Sequence, residues 1–66
     1  MKITINGTIK TIDNAMNIHN FLISEGYEDK LVAIAINNHF IARTAYNDYT
    51  IQDNDIIEIV APMQGG

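Results

Sequence analysis

The chain has 66 residues, no cysteine, 47% hydrophobic residues and a net charge of −4. Without cysteine there is no disulfide, thiolate zinc site or iron–sulfur cluster, so stability must come from a single small apolar core. The basic residues Lys2, Lys10, Lys30 and Arg43 are scattered; they form no patch that could neutralise a run of phosphates, which argues against nucleic-acid binding.

Lys2-Ile3-Thr4-Ile5 alternates polar and apolar residues, the period of a strand with one buried face. Asn6-Gly7 suits the two positive φ angles of a type I′ hairpin turn. Thr8 to Ile12 is the β-branched return strand. Its parity is imperfect, because Ile9 and Ile12 fall on opposite faces; either Ile12 has left the strand or a bulge intervenes. Asp13-Asn14 breaks the pattern, and Asn17 is placed to cap a helix. Met16 and Phe21 then occupy the two positions of a hydrophobic staple. Ile18, Phe21 and Leu22 make one apolar stripe, and Gly26 can close the helix in the left-handed conformation.

Leu31 to Ile36 is the strongest strand signal. Its bulky set, Val32, Ile34 and Ile36, should meet the helix, and its smaller set, Leu31, Ala33 and Ala35, should form a flat outer face. Asn37-Asn38 is turn chemistry, His39 to Ala42 a short returning strand, and Arg43 to Tyr49 a turn or short 3₁₀ segment. Gln52 to Asp55 makes a turn in which Asn54 can be left-handed. Ile56 to Val60 is the last strand, and Pro62 ends its ladder for want of a backbone donor.

Hairpin, helix, strand, short strand, strand is an α+β order: a mixed sheet of four to five strands with one main helix packed across it. A right-handed connection places the first and last strands side by side and parallel in the middle of the sheet. That arrangement is the ubiquitin-like β-grasp. The expected division is a body at 1–61 and a flexible Gly-Gly tail at 62–66.

Chemistry within the body is not expected. There is no glycine-rich phosphate loop with a lysine, and no His-Glu-x-x-His or similar metal spacing. His19 and His39 lie on separate elements and read as surface residues. Asp53 and Asp55 offer too few ligands for calcium and read as a solvated turn. Tyr27, Tyr46 and Tyr49 read as rim packing. Hence no catalytic residue, metal site or bound cofactor is expected. The longest apolar run, Leu31 to Ile36, is far below a membrane span, and no apolar leader follows Met1-Lys2, so a cytoplasmic protein without membrane contact is expected.

The C-terminal carboxylate remains. Gly65 and Gly66 lack side chains and can enter a channel too narrow for a Cβ. A carboxylate is a poor acyl donor until ATP converts it to a mixed anhydride with AMP, which a sulfur or amine nucleophile can displace. The groups catalysing that step would belong to a partner enzyme.

Ile3 to Gly7, Met16-Asn17-Ile18 with Phe21-Leu22, Val32 to Asn37, Ile41-Ala42-Arg43, Gln52 to Val60 and Gly65-Gly66 together span the chain. In these stretches it resembles the ThiS sulfur carriers of thiamin biosynthesis, with the MoaD carriers of molybdopterin synthesis next of kin. Spacing and short length fit ThiS better. Two stretches depart from the family pattern: Ile41-Ala42-Arg43 stands for Val-Pro-Arg, and Asp53-Asn54-Asp55 for Asp-Gly-Asp. The resemblance implies that a ThiF-type adenylyltransferase activates the Gly66 carboxylate with ATP. A persulfide donor would then make it a thiocarboxylate, and a ThiG-type thiazole synthase would receive the sulfur. Met63, Gln64, Gly65 and Gly66 would thread into the partner active sites. Pro62, Val60, Ala33, Ala35 and Phe40 would be docking contacts, although Phe40 reads equally as core. The alternatives are a MoaD-type carrier, a ubiquitin-like tag joined to lysines, or a passive interaction module.

Overall fold

The computed structural model describes residues 1–28 and 32–61. The opening alternation becomes β1 (Lys2–Ile5), which returns as β2 (Thr8–Thr11). Asn6 and Gly7 between them have φ of 49° and 85°, the two positive values expected of the turn. Of the two ways to resolve the Ile9–Ile12 parity conflict, the strand takes the first: β2 ends at Thr11 and Ile12 lies just past it, with no bulge in the pairing. Met1 and Ile12 exchange two hydrogen bonds of 2.8 and 2.9 Å just beyond the strand ends, in regular register. Ile12 is buried on the helix side, and Ile9 lies on the opposite face, exposed.

Helix α1 (Ile18–Ser24) is only seven residues long, so both of its ends matter. The Asn17 side-chain oxygen accepts the Asn20 N–H at 2.8 Å. At the other end Gly26 has φ of 87°. The Gly26 N–H donates to the Ile23 carbonyl at 3.0 Å and the Tyr27 N–H to the Leu22 carbonyl at 2.9 Å. This is the two-bond Schellman closure that glycine permits. Lys10 of β2 forms an ion pair with Glu25 at the helix C-terminal end. Ile18, Phe21 and Leu22 are completely buried, and Met16 packs against the same cluster.

β3 (Ala33–Ile36), β4 (His39–Phe40) and β5 (Ile56–Val60) complete a five-stranded sheet in the order β2-β1-β5-β3-β4. β1 and β5 are parallel and adjacent, while β3 runs antiparallel to both β4 and β5. The returning strand is shorter than expected, although the Ile41 N–H still reaches the Ile34 carbonyl at 3.0 Å. Arg43–Ala45 forms the expected 3₁₀ turn. Leu31, expected to begin β3, lies outside the described residues.

The core lies between α1 and one face of the sheet, filled by Ile3, Ile34, Ile36, Ile57 and Ile51 with the helix stripe. Two sequence-based expectations change here. Tyr46 belongs to the core and not to its rim, because the backbone after the 3₁₀ turn folds beneath the helix start: the His19 N–H donates to the Tyr46 carbonyl at 3.2 Å. Asp55 is buried and not solvated. Its carboxylate accepts the Gln52 N–H at 2.8 Å and an Asn37 side-chain N–H at 3.1 Å, which compensates the lost hydration.

Both hairpin turns reach β5 through an asparagine. Asn37, at φ 53°, accepts the Ile56 N–H at 3.1 Å through its side-chain oxygen. Asn6 accepts the Ile59 N–H at 2.9 Å in the same way. The last strand is thus gripped near its start and near its end by side chains from two different turns.

Candidate functional site

Strand alternation decides which side chains share the face that α1 leaves uncovered. Thr4 pairs with Ile56, Ala33 with Val60, and Ala35 with both Glu58 and Phe40. Across this outer face Phe40 is 75% exposed, Ile9 69%, Ile56 55% and Val60 50%. Single exposed apolar side chains are ordinary on a protein surface; a set of them on one sheet face makes that face the candidate interaction surface. Glu58 stands exposed among them.

Of the docking residues expected from sequence, Ala33, Ala35, Phe40 and Val60 therefore share one face by register, but Ala35 is buried within it and offers little surface, while Phe40 and Val60 are exposed. Phe40 is not core: pairing with Ala35 directs it away from the helix. Pro62 lies outside the described residues, as do Met63, Gln64, Gly65 and Gly66. Sequence reasoning did not single out Ile9 or Ile56. The available signal was the Ile9–Ile12 parity conflict, which places one of the pair on the outer face.

The described chain leads toward Gly66 from the C-terminal end of β5. There the Asn6 amide holds Ile59, its oxygen accepting the Ile59 N–H and its nitrogen donating to the Ile59 carbonyl at 3.4 Å. This continues the β1–β5 pairing one step beyond the strand, through a side chain. Ala61 follows, half-buried against the core. The parallel β1–β5 pair brings the Asn6-Gly7 turn to the same end of the sheet as this exit.

His19 and His39 remain on separate elements, α1 and β4. Asp53 accepts the Lys2 backbone N–H at 2.8 Å and so joins the turn to β1, while Asp55 closes the turn on Gln52 and accepts the Asn37 side chain. Among the described residues no group of three or more His, Cys, Asp or Glu is arranged to hold a metal ion. No helix among them is long and apolar enough to cross a membrane.

Among the described residues, five mixed strands, one α-helix laid across a single face, and first and last strands paired in parallel at the centre define a ubiquitin-like β-grasp domain. The ThiS family model matches residues 3–66, and the chain belongs to that family. A crystal structure of a thiamine biosynthesis protein (ThiS) from Geobacter metallireducens superposes with a TM-score of 0.85, at 28% identity and over all of both chains. A solution structure of a thiamine biosynthesis protein from the same organism gives a TM-score of 0.84, again at 28% identity, over all of this chain and 88% of the other. The chain is also 30% identical over 66 residues to a thiazole synthase of Paramagnetospirillum magneticum, of whose length it spans 20%.

Proposed function

We propose that this protein is a sulfur carrier for thiazole formation in thiamin biosynthesis, and that the Gly66 carboxylate is its reactive group. The observation that carries this reading is the family match over residues 3–66, which runs through the paired glycines. A thiazole synthase that contains a stretch similar to the whole of this chain supports a thiazole synthase as the acceptor.

The chemistry divides into three steps. In the first, a carboxylate oxygen of Gly66 attacks the α-phosphate of ATP, pyrophosphate leaves, and an acyl adenylate forms. Next, the terminal sulfur of a persulfide attacks the acyl carbon, AMP leaves, and an acyl disulfide results. Finally a second thiol cleaves the S–S bond, leaving the thiocarboxylate and carrying away the oxidised disulfide. A ThiF-type enzyme supplies ATP binding and catalysis, and a ThiG-type synthase takes the sulfur. This chain acts as co-substrate and not as the enzyme. It contributes the acyl end, and a docking face that converts an encounter between two molecules into a positioned reaction. Met63 and Gln64 lead the glycines into each partner, and Ala33, Ala35, Phe40, Val60 and Pro62 supply contact surface.

The test is intact-mass spectrometry after incubation with a ThiF-type enzyme, ATP and a persulfide source. The expected product is heavier by one oxygen-to-sulfur exchange, and a chain lacking Gly66 stays unmodified with an unchanged melting curve. An unaltered mass for the intact chain, or modification that survives loss of Gly66, would falsify the proposal. Rescue of a molybdenum-cofactor deletion and not of a thiamin deletion would assign the carrier to the MoaD pathway instead.

A further inference from the structure

On the outer face, Glu58 of β5, Ala35 of β3 and Phe40 of β4 lie in one row across three strands. Adjacent strands are about 4.8 Å apart, so the Glu58 and Phe40 backbones stand about 10 Å from each other. Ala35 between them is buried, and the Glu58 carboxylate and the Phe40 ring stand exposed on either side of it. Ile56 and Val60 flank Glu58 along the same strand face. Among the described residues Glu58 has no ion-pair partner, and Lys2 lies at the far end of this face, level with Asn54. Covering the apolar residues would strip water from the carboxylate, which is costly unless a cation arrives with the covering surface.

We propose that this row is a receptor for one arginine side chain of the enzyme that docks on the outer face. This rests on the carrier reading above and specifies the partner's chemistry. A guanidinium lying against the exposed Glu58 and Phe40 side chains can present two parallel N–H groups to the Glu58 carboxylate. Its plane also meets the Phe40 ring, a contact that the more strongly hydrated ammonium of lysine makes less well. A second copy of this chain does not fit the role. Arg43 is the only arginine in the sequence, and it already donates to the Val32 carbonyl at 3.5 Å. The net charge of −4 also disfavours self-association and favours a basic partner surface.

Calorimetric titration of the intact protein into its ThiF-type and ThiG-type partners, at two salt concentrations, tests the proposal. Glu58→Gln should weaken binding to at least one partner by about ten-fold or more and flatten the salt dependence. Phe40→Leu keeps the apolar bulk but removes the ring, and should weaken the same partner by about three-fold or more. Val60→Asp serves as the control for the face as a whole, and thermal melting confirms that every variant folds. Binding of Glu58→Gln within about two-fold of wild type, with Val60→Asp inactive, overturns the arginine receptor and leaves the docking face intact. Indifference of all three variants overturns the face. A wild-type protein that binds neither enzyme overturns the carrier reading and this inference with it.

Discussion

The two faces of the sheet come from the same strands and differ by one residue of parity. On the helix side, Ile3, Ile34, Ile36 and Ile57 are sealed beneath α1. On the outer side, Ile9, Ile56, Val60 and Phe40 are just as apolar and open to solvent. Hydrophobicity alone therefore does not distinguish a core from a surface in this chain. A single seven-residue helix can cover only one face, and the other stays available for a partner.

The comparison breaks most visibly on the sealed side. Ile34→Ala should cost about 2–5 kcal/mol in urea denaturation, a large share of what so small a domain has to lose. A loss below about 1 kcal/mol would mean that the helix face repacks freely and is not sealed. At the seam where β1 grips the end of β5, Asn6→Ala should cost about 1–3 kcal/mol, because the Ile59 N–H loses its acceptor. Faster amide exchange at Ile59 than at Ile57 would locate that loss, and equal protection in variant and wild type would contradict the clamp. Smallest should be Ile9→Thr on the outer side, within about 0.5 kcal/mol of wild type, since threonine keeps the β-branched preference and no core contact is lost. A cost above about 2 kcal/mol would show that the outer face is packed.

Much of this contrast was legible from residue order, because alternation and cap chemistry are local. The Asn17 cap, the Gly26 closure, the Asn6-Gly7 turn and the bulky-inward set Val32, Ile34 and Ile36 all depend on neighbours within a few positions. What escaped depends on register. The burial of Asp55 requires Asn37, which is distant in sequence, and the core role of Tyr46 requires the turn to fold beneath α1. Phe40 could be placed outside only once Ala35 was known to be its partner. The outer-face assembly of Ile9, Ile56 and Phe40 joins strands β2, β5 and β4, which no short window contains. As for the candidate site, the small residues of the outer face could be read from their alternation, and the lone carboxylate beside them could not.

The parallel pairing of β1 with β5 also constrains the order of events during synthesis. The central strand of the sheet is the last one to be made, and it pairs with the first. Before β5 emerges, β1 and β3 have no common neighbour and α1 has no complete surface to lie on. Closing so long a loop makes this topology slower to fold than one built from local contacts. A nascent chain interrupted before Ile56 would lack the strand that carries Ile56, Glu58 and Val60. It would therefore be unfolded and would also lack the outer-face side chains of that strand, so folding and the building of that face are completed in one step.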